Sequence, residues 1–410
     1  MTVIIAGMSP AEAATQVTGA ASTDTTSATE IPQPVALEVT PGSDQAESKP
    51  DVQTATFAAA AAETCSAETD GKSACVTTAA PPSQAPHVNP DAGTAAGVPE
   101  PQWCEDSQGS VTGTRTQVCQ VQGLTYTTYR DINGVKTATG VANMVVINYS
   151  YGNSGQGTFA HQIDVSAYGG WGDALDASID GQATMTGNCT RESSSFPAKP
   201  LKPLNSWRLG ESFFNTTATA AGAVGTCATT WYLTFMNGVY TPAVTQYTVN
   251  EFRCDNNTDG RIGVGCVVPW YASALTYSKA RTPNLVRHVD LAQASGLPGA
   301  TFAAPLTRTT DARFIALNRV RACGSAPSIT DYSCDEYPIA TSHNGLSRGG
   351  TRRSFDGCSF PDVPSATGPT GASVCMIPAT ENSSQGGSNT QFFRAERVLD
   401  KDPFRVLTTA

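Results

Sequence analysis

An acidic pair stands directly behind a cysteine in the string Cys334-Asp335-Glu336-Tyr337-Pro338-Ile339-Ala340-Thr341. Further on, Cys375-Met-Ile-Pro-Ala-Thr-Glu381-Asn382-Ser-Ser-Gln385-Gly386-Gly387 sets another carboxylate beside two amides. Adjacent carboxylates, fixed by a cysteine before them and a proline after, present oxygen ligands to a hard divalent cation. Glu381, Asn382 and Gln385 would complete a metal and water site. Six arginines, Arg348, Arg352, Arg353, Arg394, Arg397 and Arg405, surround these strings in the chain. Carboxylates holding a metal among arginines are what phosphodiester hydrolysis requires, because the metal activates water and offsets charge on the phosphate oxygens. The same residues also admit a purely structural reading, in which Asp335 and Glu336 cap a turn and Glu381-Asn382 open a helix or loop.

Histidines and cysteines narrow the remaining chemistry. The chain has 4 histidines, His87, His161, His288 and His343. Gly345-Leu-Ser347-Arg-Gly349 fits the G-x-S-x-G nucleophile elbow, but that arrangement needs its acid and then its histidine downstream, and no histidine follows Ser347. None of the 12 cysteines forms a C-x-x-C pair, so a disulfide framework is expected rather than a zinc site. An even count leaves no spare thiol for a cysteine hydrolase. Sequence does not fix connectivity. The simplest pairing is sequential and keeps every bridge local: Cys65 with Cys75, Cys104 with Cys119, Cys189 with Cys227, Cys254 with Cys266, Cys323 with Cys334, and Cys358 with Cys375. Such a framework implies an oxidising, extracellular-type compartment.

The elements that must position these residues change along the 410-residue chain. In residues 1–14 the apolar run Thr2 to Met8 and the small-x-small Ala11-Glu12-Ala13 resemble a truncated signal peptide, although no basic residues precede them. An ordinary Met-initiated tail is the other reading. Residues 15–100 are rich in Ala, Thr, Ser, Pro and acids, with Phe57 the sole aromatic, and are expected to be a disordered acidic tail. The acids and two lysines of residues 1–100 account for the whole net charge of −10, so the acidity describes the tail and no folded surface.

Residues 101–280 are nearly neutral and alternate β-branched and aromatic runs with turn signals. Strands are expected at 124–129, 141–151, 159–168, 183–186, 231–235, 247–252 and 262–271, forming an all-β sandwich-like domain. Residues 281–410 carry 12 arginines and read as a small α+β domain with helices at 282–294 and 310–321. No apolar run approaches the roughly 18 residues a membrane helix needs.

Over about the last 90 residues the string Cys334-Asp335-Glu336-Tyr337-Pro338, the later Glu381-Asn382-Ser-Ser-Gln385-Gly386-Gly387 and the terminal Asp400-Lys-Asp402-Pro-Phe404 resemble the NucA/NucB-type secreted deoxyribonuclease family. That resemblance implies a small α+β nuclease domain that hydrolyses DNA with a divalent metal, Mg²⁺ or Mn²⁺. It maps the active-site acids onto Asp335 and Glu336, and the second motif onto Glu381 and Asn382. Together with the residue pattern it makes Asp335, Glu336, His343, Glu381 and Asn382 the expected catalytic set, with Asp335 and Glu381 holding the metal. Asn344, Arg348, Arg352, Arg353, Gln385 and Arg394 are expected to bind substrate.

One departure matters. Where smaller family members carry a glutamate after the first motif, Asn344 stands here, and an amide cannot act as a general base. His343, Glu336 or Glu381 would then supply the base, or the domain has lost catalysis. The expected function is therefore a secreted, metal-dependent deoxyribonuclease without sequence preference, its alternative a catalytically inactive nuclease-like module in an extracellular binding protein. DNA is the expected partner. A dedicated inhibitor protein would mark a competition effector, and the oligomeric state stays open.

Overall fold

The computed structural model describes residues 51–55, 63–81, 98–258, 260 and 263–410. The expected signal segment and most of the expected tail lie outside them. In chain order the β region contributes β1 (Lys72–Ala79), β2 (Gln117–Ile132), β3 (Val135–Gly152) and β4 (Thr158–Gly172). It continues with β5 (Ser178–Gly187), β6 (Cys189–Ser195), β7 (Trp207–Thr216), β8 (Val224–Asn237) and β9 (Tyr240–Asp255).

One antiparallel sheet runs β1-β2-β3-β4-β7-β6, and a second runs β5-β8-β9. Strict alternation of buried and half-buried residues along β7 reflects the two-residue period of an extended chain with one face inward. The sheets share one core. Tyr126 of β2 stacks on Phe235 of β8 at 5.0 Å, Phe159 of β4 on Phe252 of β9 at 4.9 Å, and Trp231 Nε1 donates to His161 O. His161 is buried there between Asn148 and Thr229, and burial pushes its pKa down to about 3.

Two boundaries differ from expectation. Lys72–Ala79 lies in the stretch read as tail, yet it is a strand hydrogen-bonded along β2 and fastened by Cys65–Cys75. Its Ala-Cys-Val apolar centre is too short to stand out inside a Thr/Ala-rich segment. Of residues 262–271, Gly265–Val267 forms a strand. All six sequential disulfides form, with no free cysteine among the described residues.

The C-terminal region begins earlier than residue 281. β10 (Ser273–Ser278) is followed by α1 (Pro283–Ala294), α2 (Ala312–Cys323), β11 (Tyr332–Tyr337), β12 (Thr351–Arg353), β13 (Gly371–Pro378), α3 (Ala379–Ala395) and β14 (Pro403–Thr409). β10 pairs in parallel with β14, a partner more than a hundred residues away that local pattern does not reveal. A separate sheet runs β11-β13-β12.

Alternate residues of β13 feed two cores, which is why Val374-Cys-Met-Ile377 reads as a continuous apolar run. Cys375 and Ile377 pack with Leu285 and Val289 of α1 and Phe393 of α3, while Ala372, Val374 and Met376 pack with Ala322 of α2. The Ser-, Asn- and Gly-rich sequence of α3 has poor intrinsic helix propensity. Packing holds it, with Phe393 edge-on to Phe404 at 5.4 Å.

The described residues fall in one compact unit. The β region and the C-terminal region are joined by buried guanidinium groups. Arg253 of β9 and Arg115 both reach the carboxylate of Asp402, at 2.6 and 3.2 Å. Arg115 also donates to Glu396 O and Arg397 O, and Arg397 in turn donates to Asp255 O and Oδ1, to Gly263 O and to Ser154 O. Asp402→Ala leaves buried Arg115 without its carboxylate partner and Arg253 with only the longer contact to Asp255 at 3.7 Å, a change expected to cost about 3–5 kcal/mol. Chemical denaturation should show a lower midpoint for that variant.

A cleft beside the edge strand of the C-terminal sheet

β11 is an edge strand, paired with β13 along one side. Its pleat sends neighbouring side chains to opposite faces. Ser333, Asp335 and Tyr337 face the α1/α3 layer, and Cys334 and Glu336 face α2. A cleft of about 310 Å³ opens at this edge, lined by Arg319, the Cys323–Cys334 disulfide, Asp335, Glu336, Ile339, Ala340, Thr341, Asn382, Gln385, Gly386 and Asn389.

Asp335 is almost wholly buried and is held from behind. His288, on the second turn of α1 and fully buried, places Nδ1 2.6 Å from Asp335 Oδ2. Its Nε2 lies 2.9 Å from Ser373 Oγ on β13, so both ring nitrogens are anchored and the imidazole fixes the carboxylate's direction. Glu336 sits in a different environment. Burial, and then the neighbouring Asp335 charge, raise its carboxyl to about 7, with Arg319 opposing the shift.

The third wall is a polar stripe on α3. Asn382, Gln385, Gly386 and Asn389 follow the helical i, i+3, i+4, i+7 spacing, which brings all four to one face. Asn382 Nδ2 donates to Ser333 Oγ and Cys334 O, at 2.9 and 3.0 Å, tying the helix to β11 just before the acids. Asn389 Oδ1 accepts from Tyr277 OH at 2.6 Å.

Of the residues expected from sequence, the cleft gathers Asp335, Glu336, Asn382 and Gln385. Glu381 is elsewhere. Its carboxylate accepts from Asn284 N (2.9 Å), Leu285 N (3.0 Å) and Asn284 Nδ2 (2.7 Å), capping the N-terminus of α1. One helical step from Asn382 rotates Glu381 by about 100°, and the free N–H groups of α1 satisfy the oxygens that were expected to hold metal.

His343 and Asn344 lie on another loop. Asn344 Oδ1 accepts from Thr307 N at 2.8 Å, while His343 packs edge-on to Phe314, 3.7 Å from Asp400. Asn344 is not among the residues that line the cleft.

The expected phosphate-binding arginines also have other partners. Arg348 lies over Phe314 and Arg352 over Phe360. Arg353 is buried on Ser295, Gly368 and Thr370 carbonyls, and Arg394 packs against Gly260. Arg397 and Arg405 serve the contact with the β region, Arg405 donating to Ala272 O. The guanidinium at the cleft is that of Arg319 on α2.

Sequence reasoning missed His288, Arg319 and Asn389. The amide stripe of Asn382, Gln385 and Asn389 was readable once a helix is assumed. His288 and Arg319 carry no local signal, because their partners stand 47 and 17 residues away.

Residues 304–407 match the family model Deoxyribonuclease NucA/NucB. The C-terminal region is a NucA/NucB deoxyribonuclease-type domain. The match covers about a quarter of the chain and contains Asp335, Glu336, Arg319 and the α3 stripe, while His288 and β10 precede it. No curated protein and no solved structure matches the chain.

In this NucA/NucB-type domain, Glu381→Ala removes the acceptor for three N–H donors at α1, and a loss of about 1–2 kcal/mol is expected. A thermal melt should register it, with KM for DNA changed less than by Asn382→Ala.

Proposed function

We propose that this chain is a secreted, metal-dependent deoxyribonuclease that hydrolyses DNA phosphodiester bonds without sequence preference at the β11 cleft. The carrying observation is the pairing of a fixed acid, Asp335, with a neighbouring acid of raised proton affinity, Glu336, inside the region that matches the NucA/NucB family.

The donor set fits a hard cation. Carboxylates and amide oxygens line the cleft, and the two cysteines there are spent in a disulfide. Asp335, with the amides of Asn382 and Gln385, would hold Mg²⁺ or Mn²⁺, ions that accept one or two carboxylates and share the remaining positions with water and phosphate. Such an ion, when bound, offsets charge on the phosphate oxygens and makes water more acidic.

The chain's own residues carry the rest. His288 keeps Asp335 in one orientation. Arg319 lies where it can pair with a phosphate oxygen and balance charge gathering in the transition state. Glu336, ionised above about pH 7, takes the proton from the attacking water. A cleft of this size accommodates a phosphodiester. Six disulfides support secretion, and no helix among the described residues is long and apolar enough to cross a membrane.

Supercoiled plasmid incubated with oxidised protein should be nicked with Mg²⁺ or Mn²⁺ and left intact with EDTA, and Asp335→Asn should abolish nicking. Folded wild-type protein that nicks nothing with either metal overturns the reading in favour of an inactive binding module. The Glu336 carboxyl works in its ionised form and its pKa is raised, so kcat/KM should fall as pH drops through about 7. Glu336→Gln should lower kcat about 10²- to 10⁴-fold and remove that limb of the profile.

A further inference from the structure

Along α3 the cleft carries two amides held with opposite polarity. Asn382 and Asn389 both line it, and their spacing in the helix sets them about 10.5 Å apart along its axis. Asn382 spends both hydrogens of Nδ2 on Ser333 Oγ and Cys334 O, so the atom it has left to offer is Oδ1, an acceptor. Asn389 is held the other way round. Its Oδ1 accepts from Tyr277 OH at 2.6 Å, and the group it has left to offer is Nδ2, a donor with two hydrogens. Tyr277 is 3% exposed, so its hydroxyl has little water to take in exchange for Asn389. It belongs to β10 and lies outside the family match.

Between the two amides the helix surface is bare. Gly386 lines the cleft, and a Cβ built there would meet nothing within 4 Å. Glycine inside a helix is less favourable than alanine, and no neighbouring group of the protein needs the space that Gly386 leaves open. A ligand backbone that approaches the helix closely does need it. Gly387 is equally open but does not line the cleft.

We infer that Asn389 Nδ2 binds a phosphate of the DNA strand next to the one hydrolysed, that the strand's backbone passes over Gly386, and that Tyr277 is the positioning residue for the Asn389 amide. This rests on the cleft being the nuclease site proposed above. An acceptor such as Asn382 Oδ1 suits a cation, and a donor such as Asn389 Nδ2 suits an anion. Two turns of helix between them put the donor beyond the reacting phosphate and within reach of its neighbour on the strand. Such a contact is made equally in the ground and transition states, so its loss appears in KM and not in kcat. A phosphate contact also fixes the register of the strand without reading its bases.

With the full chain, plasmid nicking in Mg²⁺ gives KM and kcat, and fluorescence anisotropy of a labelled duplex in EDTA at low salt gives Kd without cleavage. Asn389→Ala should raise KM and Kd about tenfold, the loss of a hydrogen bond to a charged acceptor, and change kcat less than about twofold. Tyr277→Phe should raise KM in the parent and add nothing in the Asn389→Ala background, because it acts through that amide. Gly386→Ala should raise Tm by about 1–2 °C and raise KM with it, whereas Gly387→Ala should raise Tm and leave KM unchanged. Asn389→Ala with unchanged KM and Kd, or with only kcat lowered, overturns the proposal, as does a Gly386→Ala protein that binds and cuts like the parent. Parent protein that binds the duplex but nicks nothing removes the nuclease reading alone, and a tenfold rise in Kd for Asn389→Ala then still supports the strand's path. Folded parent protein that neither binds nor nicks removes both.

Discussion

Everything at the cleft depends on one backbone constraint, the two-residue period of the edge strand Tyr332–Tyr337. Because adjacent side chains must leave an extended chain on opposite faces, Asp335 and Glu336 enter different layers although they are consecutive. Asp335 meets a buried histidine and a serine hydroxyl. Glu336 meets apolar surroundings, a disulfide and an arginine. Burial raises the proton affinity of Glu336, while Asp335 is held in one orientation by His288. An edge position adds the other requirement, an open side through which a phosphate can approach.

The polar stripe of α3 answers the same constraint from across the cleft. Its residues are poor helix formers, and the helix persists because Phe393 is packed in the core and Asn382 bonds to the edge of β11. Function and stability draw on neighbouring residues of one turn. Asn382 looks into the cleft while Glu381, one step around, closes the open end of α1.

Behind the cleft, buried arginines do structural work. Arg397 and Arg115 cross between the C-terminal region and the β region through main-chain carbonyls, and Asp402 offsets Arg115 and Arg253. A guanidinium can serve several carbonyls at once with its planar fork, which suits it to joining two surfaces through main-chain oxygens. The β region is thus part of the frame that supports the nuclease-type domain.

The sequence by itself determined the local features. Cysteine order foretold all six bridges because each closes a short loop. Hydrophobic alternation marked most β-region strands, and the strings around Asp335 and Asn382 pointed to the right strand and helix. Tertiary structure decided what local pattern cannot hold. It placed His288 behind Asp335, brought Arg319 to the cleft, turned Glu381 into a cap, and sent His343, Asn344 and the flanking arginines to other partners. It also drew β1 into a sheet and paired β10 with β14. The physical reason is common to all of these: a side chain's role is set by which unsatisfied donor, acceptor or charge it meets, and those partners are brought together by packing, not by proximity along the chain.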